Sequence, residues 1–197
     1  MYALSDFDET RLPVLHDLVR QYPLGALVTN GAGLSADHLP FEIALEDGAP
    51  FGVLRAHVSR ANPLWQRSGE EVLALFQGPS AYISPSLYQE KAQHGKVVPT
   101  WDYAVVHTHG TLRAVDDPQW MFALLERLSA RHEGERAMPW SIHDAPRGFI
   151  DKLVGALVGI EIPIARIQGK WKMSQNRSAV DQATIRAQVP QIASMMT

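Results

Sequence analysis

The stretch Ile164-Ala-Arg-Ile-Gln-Gly-Lys-Trp-Lys-Met-Ser-Gln-Asn-Arg177 alternates with a period of two. Successive side chains of a strand point to opposite faces. Arg166, Gln168, Lys170 and Lys172 therefore share one face, and Ala165, Ile167, Gly169, Trp171 and Met173 share the other. A cationic row back to back with an apolar row requires a strand packed on one side only. The polar run Ser174, Gln175, Asn176 and Arg177 follows, and Ser178-x-x-Asp181 then opens a helix in the manner of a capping box. Strand, polar turn and helix N-terminus in this order suit an anion, because the first N–H groups of a helix are unpaired and its dipole favours negative charge. The other reading of the same pattern is a solvated strand face carrying ordinary surface lysines.

Ahead of this stretch the chain reads mainly as strands. Asp8 to Tyr22 has helical spacing at Leu12, Leu15, Val19 and Tyr22, with Pro13 in the first turn and Pro23 as a stop. Gly25–Asn30, Leu34–Ile43 and Phe51–Ser59 read as strands separated by Gly- and Pro-containing turns. Glu71–Phe76 reads as a central strand, and Gly78-Pro79 as a turn into Ala81–Ser84. Ser84 to Val98 is expected to be loop or irregular helix, and Ala104–Val115 a long strand. Asp116-Asp-Pro118 caps a helix carrying Trp120, Leu124 and Leu128, and Phe149–Val158 is a further helix. Pro190 ends or kinks the last one. Six or seven strands, with helices mainly at the ends, predict an α+β, mainly β domain over residues 1–197, built as an antiparallel barrel or sandwich. Val28, Val53, Leu73, Leu75, Val105 and Ile164 are its expected buried strand positions.

Composition narrows the chemistry. The 197 residues include no cysteine, which removes disulfides, thiolate nucleophiles and thiolate metal sites and fits a cytoplasmic protein. The acidic N-terminus lacks the form of a signal peptide, and no apolar run is long enough to span a membrane. A net charge of -3 argues against a protein whose main task is to grip duplex DNA. No Gly-x-Gly-x-x-Gly follows a strand, and no serine sits in a Gly-x-Ser-x-Gly elbow.

Three further clusters carry chemistry. Arg55, His57, Arg60 and Asn62 surround one strand end; Ser84, Ser86 and Tyr88 offer hydroxyls; Lys96, Thr100, Trp101 and Tyr103 combine a cation, a hydroxyl and aromatics. Brought together, they would suit a phosphorylated planar ligand, with cations for the phosphate and flat side chains for the ring. Size alone reads Trp101 and Trp171 as core residues. His107 and His109 share a strand face, with His57 as a possible third metal ligand; half-buried strand histidines are the plainer reading, and no metal is expected.

His57-Val-Ser-Arg60-Ala-Asn-Pro63, Phe76-Gln-Gly-Pro79-Ser-Ala-Tyr-Ile-Ser-Pro85, Lys96-Val-Val-Pro-Thr-Trp-Asp-Tyr-Ala-Val-Val-His107 and Glu161 to Arg177 closely resemble, in order, the PaiB family of negative transcriptional regulators. The resemblance implies an antiparallel six-stranded split β-barrel of the FMN-binding split-barrel superfamily with peripheral helices. It also implies a homodimer and an FMN site near the subunit interface. Carried over by position, it assigns cofactor contacts to His57, Arg60, Asn62, Ser84, Ser86, Tyr88, Thr100, Trp101, Lys170, Lys172, Gln175, Asn176 and Arg177. The function it implies is a flavin-linked regulator or sensor, with DNA as a partner only if regulation is direct. The alternatives are an FMN-dependent oxidoreductase or flavin reductase, or a haem-binding split barrel. The basic substrate motif of pyridoxamine phosphate oxidases and a helix-turn-helix are both absent from the sequence.

Overall fold

The computed structural model describes residues 1–31 and 33–196. The architecture is α+β and mainly β: an open antiparallel sheet of split-barrel type with peripheral helices. The strands are β1 (Asp8–Glu9), β2 (Leu24–Thr29), β3 (Ser35–Pro40), β4 (Glu42–Glu46), β5 (Ala49–Ser59), β6 (Glu71–Ile83), β7 (Thr100–Thr111), β8 (Arg113–Val115) and β9 (Leu157–Lys172). Their hydrogen-bonded order is β3-β2-β6-β7-β9-β5-β4, with β1 and β8 also pairing with β9. The helices are α1 (Leu12–Gln21), α2 (Glu90–His94), α3 (Pro118–Glu133), α4 (Arg147–Gly155), α5 (Ala179–Gln188) and α6 (Pro190–Ala193). The chain divides into two compact units.

The first unit holds residues 1–22, 75–107 and 167–197. Here α1 buries Leu15, His16, Leu18 and Val19. A Cβ on Gly169 would stand 2.2 Å from Leu15, so this glycine lets the helix lie close on β9. The helix begins at Leu12, not Asp8, because Asp8 and Glu9 pair instead with Lys170 and Gly169 of β9. Trp171 and Met173 are buried while Lys170 and Lys172 are only half-buried, so the alternation read from the sequence holds over this end of β9.

The second unit holds residues 23–74 and 108–166. In it β5 pairs with β4 and β9, and β8 pairs with β9 at Arg113–Glu161. The β4–β5 register shifts between Ala44 and Glu46, opposite Gly52, whose φ of 86° and a would-be Cβ 2.9 Å from the Ala44 carbonyl admit only glycine. Helices α3 and α4 close over a cluster of Met121, Ile142, Ile150 and Val154. Asp117 caps α3 by accepting from the N–H groups of Gln119 and Trp120.

Several expectations are corrected. Leu157 and Val158 open β9 and do not end a helix: α4 stops at Gly155, and Val158, Ile160, Ile162 and Ile164 are buried at period two. Gly78-Pro79 does not end β6. It marks where the buried parity changes, from Val72, Ala74 and Phe76 to Ala81 and Ile83. Of the six expected core positions Val53 and Ile164 are buried, whereas Val28, Leu73, Leu75 and Val105 are half-exposed. Their strand neighbours Leu27, Val72, Ala74, Ala104 and Val106 take the core instead. A strand apolar at both parities gives no sign of which side faces inward.

Gly110 tests the packing inside the second unit. An added Cβ would sit 2.3 Å from the Pro163 carbonyl oxygen and 2.7 Å from Ile162. Gly110→Ala should therefore destabilise by about 1–3 kcal/mol. Gly148→Ala, in α4 with nothing within 4 Å, should be neutral or stabilising by about 0.5–1 kcal/mol. Urea denaturation of the two variants checks this, and equal midpoints would contradict the close approach of β7 to β9.

Candidate functional site

In the first unit the turn after β9 is built largely by its own polar side chains. Ser174 takes the left-handed conformation, φ 57°. Its Oγ donates to Oδ2 of Asp102 at 2.6 Å, inside the protein. Gln175 accepts from the Met173 N–H at 2.7 Å, and its amide donates to the carbonyls of Asp6, at 2.9 Å, and Trp171. The guanidinium of Arg177 lies 4.5 Å from the Tyr88 ring centre, a cation–π contact. Ser178 caps α5 as the sequence predicts, accepting from the Asp181 N–H. Asp181 already places a carboxylate in the first turn of α5 and accepts from the Gln89 N–H at 2.7 Å. Asn176 is exposed on the turn.

Above this turn lies a face that is both cationic and aromatic. Lys172 Nζ donates to Thr100 Oγ1 and, at 2.8 Å, to the Trp101 carbonyl. Trp101 is 56% exposed and Tyr82 53% exposed, and their rings meet edge to face at 6.0 Å. Lys170 Nζ donates to the Tyr2 carbonyl and stands 5.4 Å from the Tyr103 ring centre. Trp171 is core, as expected, but Trp101 is not. The parity of β7 explains this: Asp102, Ala104 and Val106 point inward, so Trp101 and Tyr103 point out.

Asp102 is a functional candidate that the sequence reading passed over. Its signal was there to find, since it is an aspartate at the inward parity of a strand that buries Ala104 and Val106. It is fully buried, and burial pushes its carboxyl above the usual aspartate range against the opposing effects of the Ser174 hydroxyl, Lys172 and Arg177. Asp102 Oδ1, Tyr88 Oη and Asp181 Oδ2 are buried without hydrogen-bond partners. Burial likewise raises the Tyr88 phenol. Ser84 accepts from Ser86 Oγ at 2.9 Å and from the Ser86 N–H, capping the short turn Pro85–Leu87.

The remaining expected residues belong to the second unit. Arg60 makes a two-pronged ion pair with Asp116, at 3.0 and 2.5 Å, and donates to the carbonyls of Gly155 and Leu157. That pair holds the Asp116 carboxyl below its ordinary range. Asn62 donates to Asp37 at 2.9 Å and caps the turn Pro63–Arg67 by accepting from the Leu64 N–H. His57 is half-buried, its Nδ1 lacks a partner, and burial lowers its pKa. His109 faces Arg166, with Nη2 2.9 Å from Nε2, and burial followed by that cation lowers its pKa too. The structure thus gathers Thr100, Trp101, Lys170 and Lys172 on one face. It commits Gln175 and Arg177 to the turn beneath them, and Arg60 and Asn62 to bonds within the second unit.

A sequence model of the family described as "Putative FMN-binding domain" matches residues 1–166. The chain is 32% identical to an uncharacterised protein of Aspergillus fumigatus, over 92% of this chain and 87% of that protein. It is 30% identical to the Bacillus subtilis protein named protease synthase and sporulation protein PAI 2, over 92% of this chain and 85% of that one. Among solved structures, the FAD and haem binding protein from Mycobacterium smegmatis is similar in fold, with a TM-score of 0.62 and 16% identity over 89% of this chain and 78% of that chain. No described helix is long and apolar enough to cross a membrane.

The raised pKa of Asp102 gives a testable pH dependence. A carboxyl whose folded pKa lies above its unfolded value binds its proton more tightly when folded. Its stabilising contribution is complete below the ordinary aspartate pKa and is lost as pH rises through the folded value. In urea denaturation from pH 3.5 to 7, wild type should lose stability relative to Asp102→Asn as pH rises. A difference between the two that stays flat with pH would contradict the burial argument.

Proposed function

Starting from a chain that belongs to this FMN-binding domain family, we propose that it binds FMN and serves as an oxidoreductase or flavin reductase on a small molecule. One observation carries the reading: the exposed Trp101–Tyr82 pair beside the Lys172–Thr100 contact. A phosphorylated planar ligand needs that donor set, with flat rings for its aromatic system and an ammonium and a hydroxyl for its phosphate. Lys172 and Lys170 supply the charge, Thr100 orients, and Trp101 and Tyr82 flank the ring. Ser84, Ser86 and Asn176 add polar groups, while Gln175, Arg177 and Tyr88 hold the turn that sets Lys172 in place. His57, Arg60 and Asn62 enter the reading only through the family resemblance. Bound flavin would supply the electron-transfer chemistry, and the protein its orientation and electrostatics.

A second reading is favoured by the 30% identity to the Bacillus subtilis protein, whose name concerns protease synthesis and sporulation. In it the flavin is a signal and the output is regulation of transcription. Direct binding to DNA would then weaken steeply with salt, as counterion release demands. We also propose a homodimer, supported by the half-exposed apolar residues Val28, Leu73, Leu75 and Val105. Light scattering should give twice the chain mass of 21.8 kDa, and a clean monomer would end the shared-site reading.

Titration of FMN and riboflavin tests the site. Each charge-assisted hydrogen bond to a phosphate contributes about 1.5–3 kcal/mol, so Lys172→Ala should weaken FMN binding roughly ten- to a hundredfold. Riboflavin, without a phosphate, should lose much less. Equal losses for both ligands, or none, would return Lys172 to a solvated strand face. A Soret band in place of flavin bands would favour haem. Oxidation of NAD(P)H by the FMN-loaded protein separates enzyme from sensor.

A further inference from the structure

A cleft of about 320 Å³ lies wholly within the second unit, between β5 and α3. Leu125 and Leu128 of α3 form its apolar wall, His57 of β5 lines it, and Trp140, 44% exposed, stands at its edge. The loop carrying Trp140 is tied to α3, because the Trp140 N–H donates to Glu133 Oε2 at 3.2 Å. Volume, aliphatic wall and aromatic edge match a site for a molecule of one or two rings.

The polar residues on the lining are His57, Ser129, His132 and Glu133. His57 Nδ1 is shut away from water and has no hydrogen-bond partner. A buried acceptor left unpaired is better tolerated than a buried N–H left unpaired, so the ring proton belongs on Nε2. That tautomer is assigned from the partners available. Burial lowers the His57 pKa, which keeps the ring neutral near pH 7. His57 therefore brings to the cleft one uncharged N–H donor. Glu133 puts a carboxylate on the lining, which opposes an entering anion, while its ion-pair partner Arg136, at 3.1 Å, is not among the lining residues.

We propose that this cleft binds an uncharged planar carbonyl compound, with its oxygen accepting from His57 Nε2 and its ring lying between Leu125, Leu128 and Trp140. A phosphate or carboxylate fits it less well: the Glu133 carboxylate on the lining opposes a like charge, and the ring position between Leu125, Leu128 and Trp140 offers an anion little compensation for lost hydration. The cleft shares His57 with the flavin contacts that the family resemblance assigns, but it uses none of Thr100, Trp101, Lys170 and Lys172, so its failure would leave the reading of that face untouched.

Three ligands of nearly one shape decide the matter by NMR titration of the full chain at pH 7.5. Acetophenone has the ring and the carbonyl, ethylbenzene lacks the oxygen, and benzoate carries a charge. Acetophenone should shift resonances of His57, Leu128 and Trp140 and bind about three- to tenfold more tightly than ethylbenzene, the factor expected of one neutral hydrogen bond. Benzoate should not bind there. His57→Phe should bring acetophenone down to the affinity of ethylbenzene and leave ethylbenzene unchanged. Benzoate binding as well as acetophenone, equal affinities of acetophenone and ethylbenzene for wild type, or shifts confined to other residues would each overturn the proposal. The comparison of ligands on wild type stands even where the variant fails to fold.

Discussion

A buried carboxyl costs several kcal/mol unless its oxygens find donors, and Asp102 has no exposed surface. The donor it finds is the hydroxyl of Ser174, at 2.6 Å. To deliver that hydroxyl the backbone turns left-handed at a non-glycine residue. The turn then leads through Arg177, stacked on Tyr88, to the cap of α5. Segments of the first unit far apart in sequence are joined by this one bond and its neighbours. Lys172, two residues before Ser174, reaches Thr100 and the Trp101 carbonyl from the same frame. The side chains proposed to meet a ligand thus stand beside a buried acid that fixes where they are.

The same economy appears in the ion pairs of the second unit. Arg60 joins the end of β5 to Asp116 just ahead of α3, and Arg127 of α3 returns to Glu42 of β4 with two bonds at 2.8 Å. Arg55 joins Glu161 across the β5–β9 pair. An exposed pair such as Arg60–Asp116 adds little to stability. The two-pronged geometry of the Arg60 and Arg127 pairs instead sets how α3 lies over the strands. That is a different employment for Arg60 from holding a phosphate, and a phosphate there would compete with Asp116.

Much of the fold was legible. Asp117 and Pro118 announced the start of α3, and Ser178-x-x-Asp181 that of α5, because caps are local chemistry. The cationic row of β9 was also legible as a row, but it is not one cluster. Arg166 meets His109, Lys170 meets Tyr2 and Tyr103, and Lys172 meets Thr100. Alternation says which residues share a face; it cannot say what lies across from each. Trp101 shows the converse. Its size suggested the core, yet Asp102 beside it took the inward parity and left the tryptophan in solvent.

By itself, then, the sequence determined most of the element types, the caps of α3 and α5, the antiparallel mainly β class and the residue types available for binding, because these follow from local backbone preference and period. Only the tertiary structure decided which parity of β6 and β7 is buried, where β6 and β9 change parity, and that Ser174 belongs to Asp102. It also decided that His57 faces a cleft against α3. The physical reason is the same in each case. Burial and partnership are properties of pairs of segments remote in the chain, and an apolar run such as Val72–Phe76 carries no mark of which neighbour will cover it.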